Sequence, residues 1–418
     1  MKLTLQIHDS YLGWLDTGEL TFHGRNDVAI EYELNYGCQY LGKKACHAFS
    51  VLFPVNLAPY RGPVPGFLVD LVPQGNILRR LMGRYGIRQD DDYGAILANC
   101  PLASPGNLRI KEPWARIERE RPVYDHPGFP KAAIVAAKEN FIEYMEEHGA
   151  PIGGTSGAAG GAPKFLLRED MHGHFHADGY LDDEKTRQAY LIKFPFTDSS
   201  NSRLLTQTEK AYYDLLKELP VVTGSSIEIH DDILFIPRFD RVREGDGRLH
   251  YHGLESLYSA HGLNTHGQEL AHEDNLLLIR QYSSDWQEDA AEYLIRDLLN
   301  QALSNNDNHG RNTSLIKAKD QIRISPIYDV TAMRFFKGDF IVPLTKWQRA
   351  PLDLRHRLAW LGSEFGLDDA SLGERLRNLR DNFLGDLDGR LRHHGVPQLI
   401  IDWSRDDREA VLRSLRSL

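Results

Sequence analysis

Apolar and polar residues alternate through residues 2–8 and again through 19–34, so both stretches predict strands, with TGEL as the turn between them. The short apolar run FSVLFPVN follows. GFLVDLVPQGNILRRLMGRYGI takes the wider helical spacing and is interrupted at Pro73, whose ring fits no helix interior. A further short helix opens at Tyr93–Leu97, after Asp90–Asp92, where negative charge meets the positive end of a helix. CPLASPGNLRI is rich in turn formers and leads into a strand. Residues 130–148 predict a helix, with Pro130 suited to its start and Gly149 to its end. Next comes the glycine-rich loop PIGGTSGAAGGAPK, then KFLLRED, HGHFHADG and AYLIKFPF as strand, turn and strand. Residues 206–220 predict a helix stopped by Pro220, and SSIEIHDDILFIPRFDR predicts two strands meeting at the acidic turn His230–Asp232.

Past about residue 242 the spacing becomes helical, in EDNLLLIRQYS, in QEDAAEYLIRDLLNQALS and through most of 352–418. Ala291, Leu294, Leu298 and Ala302 share one face of a helix that runs straight into SNNDNHGRN. TSLIKAKDQIRISPIYDV then reads as a hairpin, with Asp329 just beyond it. A strand-rich first part is thus followed by a helix-rich second part, with a hinge expected near FIPRFDR, residues 235–241.

Composition narrows this little. The 418 residues are 41% hydrophobic and 26% charged, an ordinary globular balance with a sizeable core. A net charge of −10 argues against unaided binding to nucleic acid, which depends on Lys and Arg contacts to phosphate. Three cysteines, Cys38, Cys46 and Cys100, give neither a disulfide framework nor a CxxC pair, as expected in a reducing cytoplasm. The N-terminus lacks the basic start and apolar run of a signal peptide, and no 18-residue apolar stretch predicts a membrane span.

Four elements could carry chemistry, in this order. A glycine loop (153–163) separates a helix from a strand, and Lys193 sits within the next strand, YLIKFP. Asp307 and Asn312 form a D-x-x-x-x-N stretch after a helix, and Asp329 follows a strand in PIYDV. Each has a plain reading. Glycine loops are common and GxGxxG is not matched; a strand lysine is often a solvated edge charge. Asp307 and Asn312 suit a turn, and Asp329 could cap TAMRFF. Together they match what phosphoryl transfer from ATP needs. Glycine amides, here with Gly160 and Gly161, approach phosphates closely, and a lysine offsets their charge. One Asp orients the acceptor hydroxyl, while an Asn and a second Asp hold Mg²⁺. Protein kinases present the same order.

NNDNHGRNTSLI, SPIYDV, LFIPRFDR, YLIKFP and the loop ending in APKFLL resemble the HipA-type serine/threonine kinases, the toxin half of bacterial HipA–HipB toxin–antitoxin systems, over most of residues 60 to 335. GFLVDLVPQGNILRRLMGRYGI resembles the family's N-terminal subdomain. The resemblance implies an α+β, bilobal protein-kinase-like fold. Residues 1–125 would be a HipA-like N-terminal subdomain, 126–241 the nucleotide-binding part of an α/β N-lobe, and 242–418 an all-helical C-lobe. It implies Asp307 as catalytic residue, Asn312 and Asp329 as Mg²⁺ ligands, and Lys193 as the ATP-binding lysine. His309 would lie near the nucleotide, Phe239 near adenine with the backbone of Ile236–Arg238 bonding the base, and Glu209 would match the glutamate that pairs with the strand lysine. Family members can phosphorylate a serine in their own glycine loop; Ser156, beside Thr155, is the matching residue, although GGTSGAAGGAPK departs from the usual S-x-x-G-x-x-x-K register.

The implied cofactors are ATP and Mg²⁺. The implied partners are a protein substrate, such as an aminoacyl-tRNA synthetase or another translation factor, and a HipB-like antitoxin that would supply any DNA contact, with no membrane involved. Two other functions stay open: a HipA-like co-repressor scaffold, and a small-molecule phosphotransferase. His172, His174 and His176 alternate in MHGHFH and read either as a solvated hairpin tip or as a metal-binding face.

Overall fold

A computed structural model of the chain describes residues 1–43, 45–73, 75–99, 104–120, 126–136, 141, 144–145, 151–152, 164–195, 199–265, 267–337 and 343–418. The glycine-loop residues Thr155, Ser156, Gly160 and Gly161, and Cys100, lie outside them. The chain divides into two compact units. One is Met1–Phe196, Ile233–Thr265 and Ile316–Asp320; the other is Thr197–Asp232, His266–Leu315 and Gln321–Leu418.

Among the described residues the two largest sheets of the first unit each have an apolar core. In the N-terminal sheet the strands lie in the order Tyr60–Gly62, Asp27–Tyr32, Gly13–Gly24, Lys2–Asp9, Leu108–Ile110. Alternate residues face inward: Leu3, Leu5, Ile7, Leu20, Phe22, Val28 and Ile30 are buried with Phe49, Leu68, Ile96 and Leu97. TGEL is not a turn, because it lies inside the strand Gly13–Gly24. The chain reverses earlier, where the Asp9 carboxylate accepts the amides of Tyr11 (2.8 Å) and Leu12 (2.9 Å). Gly18 is instead a close-approach position: a Cβ there would stand 2.6 Å from the Phe49 ring. Pro73 separates the helices Gly66–Val69 and Gly75–Tyr85, as its chemistry predicts. Asp92 accepts the Ala95 amide (3.1 Å) at the head of the helix Tyr93–Asn99, the role expected of the acidic run.

The second sheet of this unit runs Ile233–Pro237, Thr186–Lys193, Lys164–Asp170, His174–Ala177, Phe129–Pro130, with Pro151–Ile152 also pairing to Lys164–Asp170. Phe165, Leu167, Phe175, Tyr190, Ile192, Phe235 and Phe141 pack its core. Half of HGHFHADG, His174–Ala177, is strand rather than turn, since residues 171–173 reverse the chain before it. The helical character expected from 242 starts later. Short strands Arg241–Arg243, Leu249–Tyr251 and Gly253–Ser256 come first, too short for their period to stand out in the sequence.

The second unit is mainly helical: Ser200–Leu216, His272–Tyr282, Trp286–Ala302, Leu354–Phe365, Asp369–Asn382, Leu387–His393, Gln398–Trp403 and Arg405–Arg416. The first helix begins six residues before its expected start, because Ser199 caps it by accepting the Ser202 amide (3.3 Å). Ala291, Leu294, Leu298 and Ala302 are all buried, but so is most of the helix that carries them. Among the described residues no helix is long and apolar enough to cross a membrane.

Candidate active site

The helix Trp286–Ala302 ends at Leu303, whose carbonyl accepts the Tyr212 hydroxyl (3.2 Å). Ser304 then turns into the left-handed region at φ 54°, and the asparagines of SNNDNHGRN take over the backbone. Asn305 returns to Asn300 through both its amide (2.8 Å to the carbonyl) and its side chain (2.9 Å to Oδ1). The Asp307 amide donates to Asn305 Oδ1 (3.3 Å). Asn312 Nδ2 donates to the Asp307 carbonyl at 2.6 Å, which closes the D-x-x-x-x-N stretch on itself. The cluster of small polar residues therefore does what an irregular backbone requires, giving its buried N–H and C=O groups partners. His309 is buried, with Nε2 3.5 Å from Asp307 Oδ1 and Nδ1 accepting the Arg311 amide (3.2 Å).

The Asp329 segment joins the same loop. Tyr328 donates its hydroxyl to the Arg311 carbonyl (2.6 Å) and lies 2.7 Å from Ser314 Oγ. Ile327 is held by Val222, whose carbonyl accepts its amide (2.9 Å), and Val222 is held in turn by Glu292 (2.7 Å). Glu292 pairs with the buried Arg296, which also reaches the Ser325 carbonyl (2.8 Å). Asp329 has φ 55°, a conformation that Asp tolerates better than most residues. It is not at the N-cap of the following helix, which begins at Met333. Asp307, His309, Asn312 and Asp329 lie in the same unit.

A further layer escaped the sequence. Thr345 donates its hydroxyl to the Asn308 carbonyl (2.6 Å), next to Asp307. The segment beyond Thr345 is anchored by Glu273, which accepts the amides of Gln348 (3.0 Å) and Ala350 (2.8 Å), and by Asp297, which accepts the Trp347 indole (2.9 Å). Burial pushes the Asp297 carboxyl up, but the His272 charge and the bonds from His272 and Trp347 more than offset this and hold it at about 2. Nothing local in the sequence marks Thr345 as a brace, because its partner lies 37 residues away.

The donor set fits a hard cation. Asn312 spends its amide nitrogen on Asp307, so its oxygen lies on the other side. Asn oxygen and carboxylate are what Mg²⁺ takes.

In the first unit Lys193 is 6% exposed on the strand between Ile233–Pro237 and Lys164–Asp170, opposite Leu234 and Lys164. A solvated edge lysine is therefore excluded. Phe239 follows the neighbouring strand. The Arg238 amide donates to the Ala189 carbonyl (2.9 Å), so that N–H is committed to the sheet and does not bond a base. Antiparallel pairing of Tyr190 with Pro237 turns the Pro237 carbonyl toward the opposite edge. The Arg238 side chain is structural. It pairs with Asp240 (2.6 Å), which also accepts Arg241 (3.1 Å) and the Gly106 amide (2.7 Å). Burial raises the Asp240 carboxyl, and the two guanidinium groups more than offset that, holding it well below the usual range. Arg168 extends this buried cluster to Asp178 (2.7 Å), Asp183 (2.5 Å) and Tyr251 (2.6 Å). Glu209 is buried at 4% in the helix Ser200–Leu216 rather than on a surface.

The alternating histidines do not share a face. His172 lies in the turn, while His174 and His176 lie in the strand beside Asp170, His176 Nε2 at 3.3 Å and His174 Nδ1 at 4.0 Å.

Residues 156–383 match the family model of the HipA-like C-terminal domain, and residues 9–111 match that of the HipA N-terminal domain. No curated protein matches the chain in sequence. Among solved structures the chain is similar to one from the Shewanella oneidensis MR-1 toxin–antitoxin system HipA, HipB and operator DNA complex. That likeness has a TM-score of 0.65 and 16% identity, and covers 99% of this chain and 97% of that one. A second match, the Helicobacter pylori proinflammatory kinase CtkA, has a TM-score of 0.35 and 13% identity over 55% of this chain and 92% of that one.

Proposed function

The chain belongs to the HipA family, and from that premise we propose that it is an ATP- and Mg²⁺-dependent serine/threonine protein kinase of a bacterial toxin–antitoxin system. The observation that carries this reading is the Asp307–Asn312 loop, closed by the Asn312–Asp307 bond and tied through Tyr328 to the Asp329 segment. Asp307 would accept a hydrogen bond from the acceptor hydroxyl and aim its oxygen at the γ-phosphorus. Asn312 and Asp329 would hold Mg²⁺, which offsets negative charge on the phosphate oxygens during transfer. Lys193, held on a central strand, would neutralise charge on the α- and β-phosphates. His309 beside Asp307, and Phe239 with the Pro237 carbonyl, would position the nucleotide. Gly160 and Gly161 would approach its phosphates, and Ser156 would be a site of self-phosphorylation. A phosphate there adds about −1.5 to −2 charge, enough to repel the loop from ATP.

The Shewanella protein of similar fold was solved with HipB and operator DNA. That supports a HipB-like antitoxin as partner, with DNA reached through it, and a cytoplasmic place of action. The substrate would be a protein of translation, such as an aminoacyl-tRNA synthetase.

The test is incubation of the purified chain with Mg²⁺ and γ-labelled ATP, alone and with lysate, beside Asp307→Ala. Label on Ser156 or on a lysate protein, absent in the variant, is the expected result. No label together with no ATP binding by calorimetry would sink the kinase reading and leave a co-repressor scaffold. Label on a small molecule only would leave a small-molecule phosphotransferase.

A further inference from the structure

Cys46 and His47 close the single helical turn Ala45–His47, and Asp320 lies in the tight turn after the strand Ser314–Ala318. All three belong to the first unit. Their donor atoms converge. Cys46 Sγ is 3.8 Å and His47 Nε2 3.2 Å from the same Asp320 oxygen, and the three donors lie within 4.8 Å of one another. Tetrahedral zinc, with Zn–S of about 2.3 Å and Zn–N or Zn–O of about 2.0–2.1 Å, spaces its ligands about 3.5 Å apart for S···O and about 3.3 Å for N···O. The two separations to Asp320 are within a few tenths of an ångström of those values. Among the described residues this is the group of three such side chains that meets a metal-ligand spacing.

The set is held in place by bonds that do not use its donor atoms. Tyr36 donates its hydroxyl to the His47 carbonyl (2.7 Å), and the Tyr40 ring stacks on the imidazole at 4.4 Å. Asp320 follows Lys319 at positive φ (60° and 50°), and Lys319 is tied to Glu244 at 3.0 Å. A cavity of about 150 Å³ adjoins the three side chains, lined also by Asp9, Tyr40, His250 and His252, with room for a water molecule as fourth ligand. The donors are of mixed softness. Thiolate and imidazole favour zinc-type ions over Mg²⁺, which takes oxygen.

We propose that Cys46, His47 and Asp320 form a binding site for a zinc-class divalent transition ion, with its fourth position open to solvent. The ion would link residues 274 positions apart in the sequence, so it would stabilise the folded chain by mass action. This site is separate from the Mg²⁺ ligands proposed above, and its test does not depend on phosphoryl transfer.

The experiment uses the full chain, stripped with chelator and titrated with Co²⁺ in the absence of nucleotide. One equivalent should bind, showing the visible bands of tetrahedral cobalt and a thiolate-to-cobalt charge-transfer band, and Zn²⁺ should displace it. Cys46→Ser should abolish the charge-transfer band, and His47→Ala and Asp320→Ala should each weaken binding by about 100-fold or more. Cys38→Ser should change none of these. Zn²⁺ should raise the melting temperature of the parent and of Cys38→Ser, but not of Cys46→Ser; circular dichroism of the stripped variants confirms that they fold. Absence of stoichiometric binding, or binding unchanged in Cys46→Ser, would overturn the proposal and leave a His47–Asp320 ion pair with Cys46 beside it.

Discussion

Two buried polar regions of this protein are built on opposite plans. In the first unit Arg168, Arg238 and Arg241 meet Asp178, Asp183 and Asp240, each charge answered by another. In the second unit the 303–312 loop is held mostly by neutral groups bonded to backbone: Asn305 to Asn300, Asn312 to Asp307, Thr345 to Asn308 and Tyr328 to Arg311. Reciprocated charges fix architecture and leave little capacity for a ligand. Neutral bonds to carbonyls hold a loop's backbone without a second charge to answer. RFDR and NDNHGRN look equally functional as sequence. The pattern of bonding assigns most of RFDR to scaffold, and the chemistry proposed for NDNHGRN rests on a loop held by backbone bonds.

The sharpest way to break this comparison is Asp307→Ala. Phosphoryl transfer should fall by about 10³-fold, measured with γ-labelled ATP, while unfolding in urea shifts little. A large loss of stability with activity retained would reverse the assignment. Asp240→Ala should behave in the opposite way. It strands Arg238 and Arg241 in a buried site, and unfolding free energy should drop by about 3–5 kcal/mol. Equal stability of Asp240→Ala and parent would show that the charge cluster is not scaffold.

Asp297 gives a smaller, pH-dependent effect. Its carboxyl is depressed from 3.8 to about 2 in the folded chain, so its contribution is complete above about pH 4 and is lost as pH falls toward 2. The stability gap between parent and Asp297→Asn should approach about 2 kcal/mol above pH 4 and narrow below it. A gap that stays constant down to pH 2 would rule out the ionised carboxylate as its source. Thr345→Val should have the smallest effect, about 1 kcal/mol in stability and a several-fold drop in turnover, through the lost bond to the Asn308 carbonyl. Thr345→Ser should restore both, and failure to do so would mean that packing, not the hydroxyl, holds the loop.

The order of the candidate site residues was legible along the chain because its parts are short loops at the ends of regular elements. Asp307 and Asn312 are bonded to each other across five positions, and Pro73, Asp92 and the apolar face of Trp286–Ala302 act within their own elements. Local spacing is enough for such features, since the residues that decide them are neighbours in the chain. It failed where a signal has two meanings. The glycine of TGEL serves close packing against Phe49 rather than a turn, and the second half of MHGHFH is strand because it pairs with Lys164–Asp170. Folding alone assigned the partners. Lys193 became a buried central-strand residue through strands on either side of it, Asp240 reached Gly106 across 134 positions, and Cys46 met Asp320 across 274. Amino-acid order specifies which groups are present and how each short segment bends. Which distant groups share a low-dielectric site, and so whether a charge is scaffold or reagent, depends on how segments far apart in sequence pack.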